Sequence, residues 1–270
     1  MKVYISVDME GITGVTARKF VETGTPQYNE SRPLIMSDVN AAVEGAVAGG
    51  ATEVIVVDCH SGSFNFIFDQ IHPAMKLIWG LPGQNPRFPL LDDSFSMMFL
   101  LGYHAMAGTY AAVCEHTMTS AHWHRVTANG TPIGEVAIDA AIAGECGVPV
   151  TLVSGDDKVC AEAKGFLGDI ETAVVKTGFG RHRALCLPKE TTRGIIRDAA
   201  MRAVRGKQGH APYKMKTPID VAITYKHVED ADGADSRGEN EERIDGYTVS
   251  KRYRCMSAWY GGLWHERRPR

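Results

Sequence analysis

The sequence predicts an α/β protein in which a mostly parallel central sheet carries helices on both faces, with a smaller C-terminal α/β part. Two observations predict this. Apolar runs such as VYISV, VIVV and MMFLL are short and nearly continuous, the pattern of strands buried on both faces. Between them lie stretches with apolar residues at helical spacing, so strands and helices alternate. Two regions are expected: residues 1–210 as the main α/β region, and residues 211–270 as a C-terminal strand and tail region.

The chain enters a strand at once with Val3–Val7. Asp8 and Glu10 stand where that strand should end, and Gly11 and Gly14 then break it into a loop. In SDVNAAVEGAVAGGA, Ser37 or Asp38 can cap a helix whose Val39, Ala42, Val43, Ala46 and Val47 share a face; Gly49 and Gly50 stop it. TEVIVVDCH is the next strand, running into Asp58 and His60. SGSFNFIFDQIHPAM reads as loop with a short helical turn, and MMFLLGYHA as a buried strand ending in His104. IGEVAIDAAIAGECG reads as a helix from near Glu135 to Gly147. VPVTLVSGDD is a strand that Gly155, Asp156 and Asp157 turn into the helix KVCAEAKGFL. ETAVVKTGF is a further strand, Pro188 opens the long helix KETTRGIIRDAAMRAVRG, and YKMKTPIDVAITYKH starts a last strand region. From Glu229 to Glu242 the periodicity is lost, and EDADGADSRGENEE reads as an exposed loop. The end, DGYTVSKRYRCMSAWYGGLWHERRPR, reads either as a strand with a loose basic tail or as a subunit contact.

Composition narrows the function classes. The 270 residues are 44% hydrophobic and 23% charged, with a formal net charge of −3. Neither a basic nucleic-acid surface nor an acidic tail is present. Six cysteines occur without a CxxC pair, which does not suggest a disulfide framework in a chain this long. No apolar run approaches the ~20 residues of a membrane span, and no secretory signal opens the chain. A cytoplasmic enzyme, binding neither membrane nor nucleic acid, is the expectation.

In a parallel α/β sheet, ligands collect outside the carboxyl ends of the strands. Asp8, Glu10, Asp58, His60 and His104 all fall at such ends, and Glu135 opens a helix after the loop RVTANGTPIG. Taken singly, Asp8 is an ordinary cap or turn residue, His60 a partner for a loop carbonyl, His104 a packed core histidine and Glu135 a helix cap. Their coincidence on one face is more informative. Asp8, Glu10, His60, His104 and Glu135 match the ligand types of Zn²⁺, Mn²⁺ or Co²⁺. Five ligands exceed what one tetrahedral zinc uses while keeping a water position, and they suit two metals with Asp8 shared. Such a pair can generate a hydroxide at neutral pH and polarise a carbonyl. No HExxH pattern is present, so spacing alone does not fix the chemistry. In AAVCEHTMTSAHWHRV, His116 looks placed near the pocket floor, where a histidine can stabilise an oxyanion or pass a proton. His122 and His124 flank Trp123 and read as solvent- or subunit-facing, and Cys59 and Cys114 as small buried fillers.

These residues also carry a family resemblance. SVDMEGI, DCHS, LGYHAMAGT, EHTM and NGTPIGE, followed by SGDD and VVKTGFGRHRALCLP, occur in order, and the chain closely resembles the D-aminopeptidases of metallopeptidase family M55. The resemblance runs from residue 1 to about residue 225. It implies a two-zinc centre with Asp8, Glu10, His60, His104 and Glu135 as ligands and His116 as the additional catalytic residue. It further implies a homo-oligomer, a ring-stacked decamer with internal active sites. The implied substrates are short D-amino-acid peptides such as D-Ala-D-Ala, cleaved by a metal-bound hydroxide to release the N-terminal D-amino acid. His116 is the leading donor to the leaving amine, Glu115 a weaker one. In the last quarter the family continues through a strand and a closing helix, whereas Gly261, Gly262 and Pro269 argue against a helix in MSAWYGGLWHERRPR.

Two other readings compete: a metal-dependent amidohydrolase or aminopeptidase of different specificity on the same cluster, and a non-catalytic peptide-binding protein linked to transport. A nucleotide-binding module is disfavoured, because DMEGITG has neither a GxGxxG nor a GxxxxGK[ST] arrangement.

Overall fold

A computed structural model describes residues 1–80, 86–206, 210–235, 238 and 240–265. In chain order the elements begin with β1 (Lys2–Val7), α1 (Pro26–Gly49), β2 (Glu53–Asp58), β3 (Met75–Ile78), β4 (Met97–Tyr103), β5 (Trp123–Ala128) and β6 (Thr131–Pro132). They continue with α2 (Glu135–Glu145), β7 (Val150–Asp156), α3 (Asp157–Leu167), β8 (Glu171–Gly180), β9 (Arg183–Cys186) and α4 (Lys189–Arg205). The chain closes with β10 (Ile219–Tyr225), α5 (Val228–Ala234), β11 (Glu241–Arg243), β12 (Thr248–Tyr253) and α6 (Met256–His265).

Seven strands form the main sheet in the order β3-β2-β1-β4-β7-β8-β9. All neighbours are parallel except β8 and β9, which close one edge as an antiparallel pair. The expected parallel sheet with helices on both faces is therefore observed. Period-two alternation sorts the strand residues between two cores. Val3, Ile5 and Val7 point into a layer with Ile35, Val39 and Val43 of α1 and Ile196 and Ala200 of α4. Tyr4, Leu100 and Val153 point the other way, into a layer with α2 and α3. Gly45 lets α1 and α4 touch: a Cβ there would lie 2.1 Å from the Arg197 carbonyl oxygen.

The second sheet has the order β11-β12-β10-β5-β6 and is antiparallel. It joins two distant stretches, residues 123–132 and 219–253, and its apolar face (Val126, Val221, Ile223) packs into the core that holds α2.

Three expectations need correcting. The first helix starts at Pro26 rather than near Ser37: Thr25 caps it by accepting from the Tyr28 N–H, Pro26 takes the first turn, and Pro33 is tolerated inside. Asp38 is no cap; its buried carboxylate accepts the N–H and hydroxyl of Thr13, both at 2.9 Å. Second, the stretch from Glu229 to Glu242 is not simply loop. It contains most of α5, anchored by buried Ala231, and most of β11; residues 236, 237 and 239 of it lie outside the described residues. Third, the C-terminus does form a helix. The Glu145 carboxylate accepts the Met256 N–H at 2.7 Å, Trp259 is 1% exposed, and Gly261 is buried. Burial of Met256, Trp259 and Tyr260 outweighs the ~1 kcal/mol that each helical glycine costs. The basic tail, residues 266–270, lies outside the described residues.

Candidate metal centre

The path of the chain creates the site. From β1 it runs outward to β2 and β3, then returns to place β4 on the other side of β1. The carboxyl ends of β1 and β4 thus form a topological switch point, where such sheets open a crevice. Two glycines let the strand tips cross there. A Cβ on Gly11 would lie 2.0 Å from the Tyr103 carbonyl oxygen, and one on Gly102, whose φ is +72°, would lie 2.4 Å from that of Asp8. In their absence the Gly11 N–H donates to the Gly102 carbonyl at 2.8 Å.

Six of the side chains singled out in the sequence converge at this crevice. His104 Nε2 lies 3.4 Å from Asp8 Oδ2 and 3.2 Å from Glu135 Oε1. His60 Nε2 lies 3.5 Å from Glu10 Oε1, and His116 Nε2 lies 3.7 Å from Glu135 Oε1. The His104 and His116 rings stack, with centroids 3.9 Å apart. Two triads result, Asp8–Glu10–His60 and His104–His116–Glu135, each with ligand-type atoms within 4.8 Å of one another. Asp8 belongs to the first and reaches the second through His104. Sequence reasoning set His116 apart from the ligands, whereas the geometry also gives it a ligand-like position.

The other candidates are not members of the two triads. His122 and His124 are exposed on either side of buried Trp123, and His122 pairs with Asp230 at 3.1 Å. Asp58 accepts the Asn65 N–H and side-chain amide, both at 2.8 Å, which fixes the turn after His60. Glu115 is tied to Arg181. Burial pushes the Cys59 thiol up to about 12 and the Cys114 thiol up to about 11, so neither is a ready nucleophile.

Physical chemistry calls for a cation in this cluster. Glu10 Oε2, His60 Nδ1 and His104 Nε2 are buried with no hydrogen-bond partner, which is costly unless something else satisfies them. Burial and the neighbouring Glu10 raise the Asp8 carboxyl well above its ordinary value. Burial works against a charged His60, yet Glu10 and Asp8 raise it to about 9; Glu135 and Asp8 likewise overcome burial to raise His104. Three carboxylates in a dry crevice thus demand positive charge. Divalent metals supply it through the same oxygen and nitrogen atoms, so the residues fit a metal pair.

Backbone contacts hold the histidines ready. His104 Nδ1–H donates to the Ala105 carbonyl at 3.1 Å and His116 Nδ1–H to that of Cys114 at 2.9 Å, turning each Nε2 lone pair toward the crevice. Cys114 (φ +51°) and Met118 (φ +61°) flank His116 in the left-handed region, a local cost of the kind found at functional sites. The Met118 N–H in turn donates to Glu135 Oε1 at 2.8 Å. Glu135 stands in the first turn of α2, where the helix dipole favours its charge.

Four residues of the site escaped sequence reasoning: Arg87, Asp139, Tyr260 and Lys176. Arg87 forms a buried two-pronged pair with Asp139, one turn beyond Glu135 on α2, and donates to the Tyr260 hydroxyl at 2.9 Å. Asp139 also accepts the Tyr103 hydroxyl at 2.6 Å. The four-residue spacing of Glu135 and Asp139 was the available signal, since it places both on one helix face. Tyr260 arrives on the helix that the glycines concealed. Lys176 is buried within β8, and a lone charge in the apolar run AVVKTGF was its signal.

The cluster floors a cleft of about 740 Å³ whose walls include Ile78, Trp79, Pro86, Arg87, Met118 and Tyr260. Its metal-ligand floor and its walls of mixed apolar and polar side chains suit a small substrate.

Comparison with known proteins agrees with this geometry. The model of the M55 peptidase family, described as D-aminopeptidase, matches residues 1–264. A D-aminopeptidase of Bacillus subtilis (strain 168) is 32% identical over 266 residues, covering 97% of this chain and 95% of the relative. A solved structure described as the Zn-dependent D-aminopeptidase DppA from Bacillus subtilis, a self-compartmentalizing protease, matches with a TM-score of 0.93. It is 30% identical, and the match covers 98% of this chain and 96% of that one. The chain belongs to the M55 D-aminopeptidase family and is a metal-dependent aminopeptidase, a hydrolase of peptide bonds.

Proposed function

We propose that this M55 peptidase is a two-zinc D-aminopeptidase that removes the N-terminal D-amino acid, D-alanine foremost, from short peptides such as D-Ala-D-Ala. The observation that carries the reading is the convergence of two ligand triads linked by Asp8. Asp8, Glu10 and His60 would hold one ion and Asp8, His104 and Glu135 the other. Zinc is the metal named for the similar Bacillus enzyme. When bound, the pair supplies a nucleophilic water at neutral pH and an electrophile for the scissile carbonyl.

The chain's own residues do the rest. His116 has its Nδ1 proton committed to the Cys114 carbonyl, so Nε2 is the atom that takes up a proton. Once protonated, Nε2 can donate to the carbonyl oxygen as negative charge develops, or to the nitrogen of the leaving amine. Burial and the stacked His104 hold His116 below its ordinary value, which keeps it neutral and receptive at rest. Ile78, Met118 and Tyr260 exclude water and press on the substrate side chain. The similar Bacillus structure is described as self-compartmentalizing. We accordingly read this chain as a homo-oligomer, a decamer that admits short peptides to enclosed sites.

The test measures metal content and handedness on one preparation. We expect about two zinc equivalents per chain, and release of alanine from D-Ala-D-Ala at least tenfold faster than from L-Ala-L-Ala. Equal rates on the two dipeptides would replace the reading with an aminopeptidase of broad handedness. One equivalent, with no further uptake on titration, would remove the metal pair.

A further inference from the structure

Lys176 has no place in the chemistry above, yet its setting is unusual. Its side chain is 1% exposed. No carboxylate lies within ion-pair distance of it among the described residues. Its Nζ instead donates to three backbone carbonyls, those of Glu10 at 2.6 Å, Ile12 at 2.9 Å and Val15 at 2.5 Å. An ammonium has three N–H donors, so donors and acceptors match one for one. All three acceptors belong to the short segment that follows β1 and carries Asp8 and Glu10.

Stability alone would not select this arrangement. Burying an ammonium without an anionic partner costs free energy, and an apolar side chain under an ordinary loop would avoid that cost. The loop is not ordinary. Its carbonyls turn inward to Lys176 while the Asp8 and Glu10 side chains turn outward to line the cleft. The peptide after Glu10 is held at both ends, its carbonyl by Lys176 and its N–H, that of Gly11, by Gly102. Asp38 of α1 holds both donors of Thr13 in the same segment.

We infer that Lys176 is the positioning residue of the metal loop: its three hydrogen bonds set where Asp8 and Glu10 stand, and through them the affinity and coordination geometry of the bound ions. The inference rests on the two-metal reading. It assigns Lys176 to holding the metals and gives it no contact with substrate. Outer residues that orient metal ligands characteristically change affinity by about 10- to 100-fold when removed.

The experiment compares the wild-type protein with Lys176→Met, which keeps the length and removes the donors, and Lys176→Gln, which keeps part of the donor set. Zinc affinity is read by competition with a chromophoric chelator. The cobalt-substituted proteins report ligand geometry through their visible absorption bands. Lys176→Met should bind zinc about 10- to 100-fold more weakly and shift the cobalt bands, with Lys176→Gln between it and wild type. Val204→Ala, in the core between α1 and α4, serves as the stability control and should keep wild-type affinity and spectrum. Wild-type affinity and unshifted bands in Lys176→Met would overturn the inference, as would an equal loss of affinity in Val204→Ala. If both Lys176 variants fail to fold without metal while the metal-free wild type folds, Lys176 supports the whole fold and the inference is again overturned. Failure of the two-metal reading itself would look different, because the wild-type protein would then not take up two equivalents.

Discussion

His116 stands 3.7 Å from Glu135 and stacks on His104, so distance alone would admit it as a ligand. Its hydrogen bonding gives it a second capacity, since the Nδ1–H on the Cys114 carbonyl leaves Nε2 to carry a proton. The two roles separate under mutation. His116→Ala should keep both zinc equivalents and an unchanged KM while kcat falls about a hundredfold or more, the scale of a lost oxyanion donor. Loss of general acid catalysis as well would deepen the deficit by roughly 10²–10⁴-fold. Metal content, melting temperature and kcat measured together distinguish the outcomes. Loss of one zinc equivalent makes His116 a ligand, and full activity with full metal removes it from the mechanism. At this scale much was legible in the sequence. Asp8, Glu10, His60 and His104 follow strands whose ends the apolar runs define, so their meeting point followed from fold class. The roles of Arg87 and Lys176 were not legible: the lone charge in AVVKTGF marks Lys176, but what either residue holds is decided by partners 52 and more than 160 residues away.

Whole elements divide along the same physical line. β1, β2, β4 and β7 are buried on both faces, and a strand of that kind writes its burial into its own composition. The short pieces β3, β6, β9 and β11 do not, since each takes its form from the neighbour it pairs with. Helix α6 is the sharpest case. Its two adjacent glycines oppose helix by local propensity, and packing on α2 and the second sheet supplies what propensity withholds. Trp259 is the anchor, 6.2 Å ring to ring from Trp123 of β5. Trp259→Ala should therefore cost about 3–5 kcal/mol in a urea titration, the range for deleting a buried aromatic. A functional effect should accompany it. Tyr260 follows Trp259, binds Arg87 and walls the cleft, so KM for the dipeptide should rise more than kcat falls. A cost under about 1 kcal/mol would show that α6 is attached to the fold without holding any part of it together.

At the scale of the whole molecule, the exposed apolar surface bears on assembly. Single exposed hydrophobics are ordinary, but Phe64, Phe68 and Trp79 are contiguous. Phe68 stacks on Trp79 at 5.5 Å and Phe64 meets it edge-on at 5.7 Å, with all three residues at least 41% exposed. Trp79 also lines the cleft, so this aromatic patch lies at the mouth of the metal centre. A contiguous patch of that kind on a lone chain is a liability, and covering it with another subunit removes the liability. Covering it there would also narrow the route to the metals, which is what an enclosed site requires. On the proposed decamer, light scattering should give a particle of ten copies of the 29.4 kDa chain, and Trp79→Ser should weaken that assembly on dilution. Enclosure has a second consequence, which can be measured without reference to mass. A D-alanyl residue on a short free peptide should be released, whereas the same residue ligated to the N-terminus of a small folded protein should be spared. A chain that runs as a monomer and trims both substrates at equal rates has an open site. The patch would then belong to substrate binding, and Trp79→Ser would raise KM without changing the mass.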